Sequence, residues 1–416
     1  MSTALLTDRY ELTMLDAALA SGVAGRRAVF EVFARRLPPG RRFGIVAGQG
    51  RLPGLLAELS YDAAEIEALR DVVGPQTREW LTGRRLGVTI SAYPEGSTYV
   101  PGSPVMTVDG CFGEGLLLET LVLSVLNADS AVASAAARMV LAAGGRPLLE
   151  MGSRRTHEQA AVSAARAAYV AGFSATSNLE AGRRHGVPTV GTTAHSFVLA
   201  YASEREAVEA QVAAQGVGTT VLVDTYDTAQ GIRTAVEVAG GGLGAIRLDS
   251  GDPTVQVRKA RALLDELGAT GTRIVVTGDL DEHAIAGLAG EPVDRYGVGT
   301  SVVTGSGAPT ADFVYKLVAI ADSDAPDAPL RPVHKRSEGK TSHGGRKWAW
   351  RTTDGELLRR TPERVPGAQP LQAPLPADED LLAARETCAA ALAALPEQAR
   401  RLDPGDPAWT AVLEDA

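Results

Sequence analysis

The chain has 416 residues, 45% of them hydrophobic, with 41 Lys and Arg against 50 Asp and Glu for a formal charge of −9. At roughly 150 residues per domain there is room for two or three folded units with sizeable cores, and the acidic balance excludes nucleic acid or an anionic membrane surface as the main partner. Two cysteines, Cys111 and Cys388, lie too far apart for a disulfide framework or a metal-ligand spacing. The start of the chain lacks the basic-then-apolar pattern of an export signal, so the expected location is cytoplasmic.

The first 115 residues carry strand signals at 28–33, 43–47, 88–93 and 104–108, punctuated by Pro and Gly, with helical stretches between: an α+β texture containing a sheet. The most apolar run, 116–126, contains Glu119 and falls short of the ~20 residues a membrane span needs, which predicts a buried helix. From about 145 to 305 short β-branched runs alternate with Ala-rich helical stretches. Strands are predicted at 147–150, 188–191, 220–224, 245–248, 273–277 and 294–298, with helices near 157–171, 203–214, 228–239, 255–267 and 281–289. Strand-to-strand spacings of this kind read as βα units of a parallel barrel or doubly wound sheet. Nearly every predicted strand runs into a polar or Gly-rich turn, which favours a barrel whose site is built at the carboxyl ends of its strands. Strand signals return at 313–320 and 348–351, where the chain comes back to complete the first sheet; a Pro-rich stretch and an Ala-rich helix near 378–394 follow. The expected division is 1–115 with 311–360 as a discontinuous sheet domain, 116–310 as the catalytic barrel, and 361–416 as a tail.

Arg247 and Asp249 are two residues apart in a short apolar strand, so they share one face of it. Two charges in a mostly buried strand cost free energy unless they meet each other or a ligand, and this pair fits either an edge ion pair or a cation for an anion beside a carboxylate for hydroxyls or a metal. Gly240-Gly241-Gly242-Leu243-Gly244 precedes a strand rather than following one, so it is a turn and not a dinucleotide fingerprint. No P-loop is present. Gly297-Val298-Gly299-Thr300-Ser301 follows a late strand and offers backbone N–H groups for a phosphate; Thr277-Gly278-Asp279, one unit earlier, supplies the other wall. His195 shares a strand-end turn with Thr192 and Ser196, where a nucleophile or base would stand; a satisfied loop histidine is the plainer alternative.

Taken together, Leu6-Thr7-Asp8-Arg9-Tyr10-Glu11-Leu12, Gly152-Ser153-Arg154-Arg155, Phe173-Ser174-Ala175-Thr176-Ser177-Asn178-Leu179, Gly191-Thr192-Thr193-Ala194-His195-Ser196-Phe197, Arg247-Leu248-Asp249-Ser250-Gly251-Asp252 and Gly297-Val298-Gly299-Thr300-Ser301-Val302-Val303-Thr304 resemble the nicotinate phosphoribosyltransferase family. The resemblance spans residues 6–304 in order and implies an irregular TIM-like α/β barrel of the type II phosphoribosyltransferases, with an additional α+β sheet domain built from N- and C-terminal segments. It also implies the reaction: nicotinate, phosphoribosyl pyrophosphate and ATP give nicotinate mononucleotide, pyrophosphate, ADP and phosphate, with Mg²⁺, on the route to NAD. The implied assembly is a homodimer with active sites near the subunit interface, with no nucleic acid or membrane partner.

Position by position, the resemblance implies that Tyr10 packs on the pyridine ring from the neighbouring subunit, that Arg154, Asn178, Thr192 and Arg247 receive nicotinate, and that His195 is transiently phosphorylated. Asp249 would contact ribose hydroxyls. Ser250, Gly278, Asp279, Gly299 and Thr300 would hold the phosphoribosyl group, while the Mg²⁺ ligands stay unassigned. Asn178 stands where the related nicotinamide enzyme has an aspartate, and an amide there does not repel a carboxylate. Met151 departs from the Phe common at its position. Three alternatives stay open: a quinolinate phosphoribosyltransferase, which needs no ATP; a barrel aldolase or isomerase, which would want a strand-end lysine that 145–305 does not supply; and a non-enzymatic nucleotide-binding regulator.

Overall fold

The computed structural model describes residues 2–335 and 343–414. The chain divides into two compact units: Met1–Ala131 with Thr310–Ala416, and Val132–Pro309.

The first unit is built on an antiparallel six-stranded sheet in the order Leu330–Pro332, Phe313–Ala321, Arg27–Ala34, Met106–Cys111, Thr89–Ala92, Ala373–Pro374. Arg27–Ala34 is buried along nearly its whole length because it is flanked on both edges. Its register with Phe313–Ala321, such as Val32 opposite Tyr315, is how the returning chain completes the sheet. Leu12 and Leu15 of the Arg9–Ala20 helix pack with Phe30, Met106 and Leu118 in the main core. A buried ion pair, Glu31 to Lys347 at 2.6 Å, ties the same strand to the segment after 343.

The tail segment from 361 belongs to this unit rather than standing apart. Ala373–Pro374 adds an edge to the six-stranded sheet, and Thr410–Leu413 pairs with Gly355–Arg359 in a second, four-stranded sheet. The other boundary also moves, from 115/116 to 131/132, because the apolar run opens a longer helix than expected, Glu119–Ala143. Residues 112–143 are long and apolar enough by composition to cross a membrane, but 67% of their most apolar window is buried inside the protein, the mark of a core helix.

The second unit carries six parallel strands in the order Ala175–Thr176, Leu148–Glu150, Arg295–Val298, Arg273–Val276, Ala245–Leu248, Thr220–Leu222. Helices such as Glu158–Val170, Thr228–Ala239 and Pro253–Glu266 connect them as βα units. The strand expected at 188–191 is reduced to one parallel bridge, Thr176 to Thr189. Past it the ring is joined by side chains in place of a ladder: Thr192 Oγ1 donates to Thr220 O at 2.6 Å, and Gln211 Nε2 donates to the same oxygen at 2.9 Å. This is an irregular TIM-like barrel with one seam sewn by polar side chains.

Residue alternation sorts each strand into an inner and an outer face. Ile246, Leu248, Ile274, Val276, Tyr296 and Val298 are all at most 2% exposed. The in-between positions Arg247, Val275 and Arg295 are register partners across three strands. Gly297 is an inner position that tolerates no side chain, since a Cβ there would come within 2.5 Å of Thr277 Cγ2 and 2.9 Å of Met151 Sδ. A cavity of ≈ 210 Å³ remains inside, lined by Met151, Thr192, Thr220, Arg247, Val275 and Arg295 among others.

Candidate active site

The inner-face charges gather where the strands end. Arg247 and Asp249 do share a face: Arg247 Nη2 lies 3.8 Å from Asp249 Oδ1. Arg247 Nη1 donates to Thr193 O at 3.2 Å, while its Nε is buried with no hydrogen-bond partner. Burial lowers the pKa of this guanidinium; Asp249 and Asp224 oppose that and Arg154 adds to it, which places a second cation in the same field. A desolvated guanidinium with an unused N–H is a strong receptor for an anion.

Asp249 is held from one side by the Thr277 hydroxyl, which donates to Oδ1. Its Oδ2 lies 3.8 Å from His195 Nε2, and His195 Nδ1 is 3.1 Å from Thr225 Oγ1. His195 is the first residue of a short helix, His195–Leu199, with its side chain 40% exposed. The expected turn is thus a helix start, and the imidazole combines access from solvent with an oriented ring.

Beneath this group lies Asp224, which sequence reasoning placed at a strand end without giving it a role. Its Oδ2 accepts from Asp249 N at 2.7 Å, Ser250 N at 2.8 Å and Ser250 Oγ at 2.7 Å. Both donors of Ser250 are therefore directed at Asp224 and hold the turn. The signal for Asp224 was available: a carboxylate closing a β-branched run, as at Asp249.

Gly278 follows at φ +98°, and a Cβ there would lie 2.4 Å from Asp249 O, so the backbone passes the Asp249 turn as only glycine allows. Asp279 continues with φ 43°, a left-handed conformation uncommon outside glycine and often found at ligand sites. Gly299 and the exposed Thr300 open the short Thr300–Val303 helix after the next strand. Their turn touches the Gly152 turn, where an added Cβ would be 2.8 Å from Gly299 O.

Asn178 is bonded to Ser153, the residue before Arg154. Asn178 Nδ2 donates to Ser153 Oγ at 3.0 Å and Asn178 Oδ1 caps the Leu179–His185 helix through Ala181 N at 2.9 Å. One Nδ2 hydrogen is left over for a ligand. Arg154 is exposed, and Thr192, with its hydroxyl given to Thr220 O, lines the cavity beside Arg247. Tyr10 belongs to the first unit, on its first helix and 45% exposed; partial burial, Glu119 and Glu11 push its phenol up to about 12. Among the described residues no group of three or more His, Cys, Asp or Glu forms a metal cluster.

Comparison with known proteins follows this division. Residues 5–127 match the nicotinate phosphoribosyltransferase N-terminal domain, and residues 132–315 match the quinolinate phosphoribosyl transferase C-terminal domain. The chain is 55% identical to nicotinate phosphoribosyltransferase pncB1 of Mycobacterium tuberculosis, over 97% of this chain and 94% of that one. Among solved structures, human nicotinic acid phosphoribosyltransferase superposes with a TM-score of 0.82 at 28% identity, covering 99% of this chain and 98% of the other. Nicotinate-nucleotide pyrophosphorylase from Pyrococcus furiosus shares the fold, at a TM-score of 0.77 and 23% identity over 94% and 95%. With that identity sustained along nearly the whole length of both chains, this protein belongs to the nicotinate phosphoribosyltransferase family.

Proposed function

We propose that the barrel mouth joins nicotinate to the ribose of phosphoribosyl pyrophosphate, in keeping with the family's role in NAD salvage. The observation that carries the reading is Arg247: a mostly buried guanidinium with an unpartnered Nε, set beside a carboxylate at a strand's carboxyl end. The pyridine nitrogen forms a bond to ribose C1 while the C1–oxygen bond to pyrophosphate breaks, and the electron pair leaves with pyrophosphate. The transition state carries a developing cation at C1 and a departing polyanion. Arg247 answers the anionic charge. Asp249, oriented by Thr277, answers the cation and the ribose hydroxyls. The Gly278-Asp279 and Gly299-Thr300 turns receive phosphate oxygens, and Arg154 with Asn178 and Thr192 receives the pyridine carboxylate.

In this reading ATP is a co-substrate and His195 its acceptor. A Nδ1–H donating to Thr225 Oγ1 leaves the Nε2 lone pair free; Nε2 bonds to the γ-phosphorus as the bond to ADP breaks, and water later releases the phosphate. The added charge sits beside Asp249 and Arg247 and so alters their hold on substrate and product. Mg²⁺ fits a site with few protein ligands, since it keeps waters and substrate phosphate oxygens; Asp249 is the carboxylate at hand, and the ion would neutralise the pyrophosphate. The protein acts as a homodimer, with Tyr10 reaching the partner's pyridine site.

The match of 132–315 to a quinolinate domain supports one runner-up, a decarboxylating transfer to the diacid without ATP. The test is a panel of nicotinate, nicotinamide and quinolinate, each with phosphoribosyl pyrophosphate, with and without ATP. Nicotinate stimulated by ATP is expected; product from quinolinate alone would favour the runner-up.

A further inference from the structure

Glu150 closes the Leu148–Glu150 strand and is wholly buried, yet among the described residues no cation is paired with it. One carboxylate oxygen accepts from Gly152 N and the other from Thr176 Oγ1. The Thr176 oxygen in turn accepts from Asn178 N at 3.0 Å, and the Glu150 carbonyl accepts from Ser177 N at 2.8 Å. The circuit closes through the Asn178 amide, which donates to Ser153 Oγ at 3.0 Å. Two turns from neighbouring strands, one carrying Arg154 and the other Asn178, are therefore fastened to one carboxylate. The first of them has no slack, because Gly152 is wedged so that a Cβ would lie 2.3 Å from Val303 Cγ1.

A carboxylate suits this place since it offers acceptors in two directions and no hydrogen to misplace. A Gln would turn an NH₂ either toward the Gly152 N–H or toward a hydroxyl oxygen that already accepts from Asn178. Burial drives the Glu150 carboxyl above its ordinary pKa, and the Thr176 and Gly152 bonds pull it back. None of its hydrogen bonds goes to the Asp249, Gly278 or Gly299 turns.

We propose that Glu150 is a positioning residue for the acceptor acid: it sets the spacing of the Arg154 and Asn178 turns, and with it the affinity for nicotinate more than that for phosphoribosyl pyrophosphate, whose Gly299 turn meets only the Gly152 arm. This rests on the assignment of Arg154 and Asn178 to the pyridine carboxylate. The experiment measures initial rates of the full-length protein with each substrate varied in turn, for Glu150→Gln, Thr176→Val, Thr176→Ser and Arg154→Ala. Glu150→Gln and Thr176→Val are expected to raise the nicotinate KM about tenfold, just below the low end of one lost hydrogen bond to a charged group because the effect is indirect, with the phosphoribosyl pyrophosphate KM within about twofold for Thr176→Val, and Thr176→Ser keeping the native values. Thr176→Val replaces a hydroxyl by a methyl of the same shape and decides the matter even if Glu150→Gln fails to fold. If Arg154→Ala raises the nicotinate KM while Thr176→Val moves neither KM, or both alike, positioning by Glu150 is overturned. If Arg154→Ala leaves the nicotinate KM unchanged, the pocket assignment falls and the proposal with it.

Discussion

Arg247, on the Ala245–Leu248 strand, and Asp249, the first residue past its end, point the same way and lie 3.8 Å apart, beyond hydrogen-bond reach of each other. Each is held by a different neighbour: Arg247 by Thr193 O, Asp249 by the Thr277 hydroxyl. The pair is close enough for each charge to stabilise the other and far enough apart that neither uses up the other's ligand-binding capacity. Arg247→Lys keeps the charge but loses the planar fork and its unused Nε–H. The expected result is a fall in kcat/KM of ~100-fold, in line with the ~1.5–3 kcal/mol of a hydrogen bond to a charged group, with a melting temperature close to that of the parent. Steady-state kinetics beside a thermal melt checks both halves.

Asn178→Asp tests substrate choice. Aspartate is as good a helix cap as asparagine, so the Leu179–His185 helix should hold, and the Ser153 hydroxyl can turn to donate where it now accepts. Stability is expected to change by less than about 0.5 kcal/mol. The new charge repels the nicotinate carboxylate and can accept from a carboxamide. The ratio of kcat/KM for nicotinate to that for nicotinamide should fall by at least about tenfold; an unchanged ratio would mean that Asn178 serves only as a cap.

The parts of this site that sequence made legible are those written in short-range alternation. Arg247 and Asp249 two apart in an apolar run dictated a shared face, and the strand-end turns at Gly278 and Gly299 announced themselves by glycine. What stayed hidden depends on pairing across the chain. The run at 188–191 reads as a strand, but its neighbour across the seam is met through the Thr192 and Gln211 side chains, so only one bridge forms. Asn178 carried a cap signal, a polar residue before a helix that ends at Gly186 with φ +69°; the resemblance drew attention to its ligand role instead. Ser250 is tied to Asp224, 26 residues earlier, through both its N–H and its hydroxyl, a pairing that no local pattern announces. Glu150 carried the same strand-end carboxylate signal as Asp224, but its partners, one backbone N–H and a hydroxyl 26 residues later, are set by pairing that no local pattern announces.

Coupling of ATP to the transfer requires a phosphate acceptor at the barrel mouth, and the proposed acceptor is His195. Protein incubated with ATP labelled in the γ-phosphate and quenched in alkali, which preserves phosphohistidine, should carry acid-labile label on His195, located by peptide mass spectrometry. His195→Gln should carry none and should lose ATP stimulation while keeping a slower ATP-independent synthesis. Label of equal amount on His195→Gln, or unchanged stimulation by ATP in that variant, would contradict it.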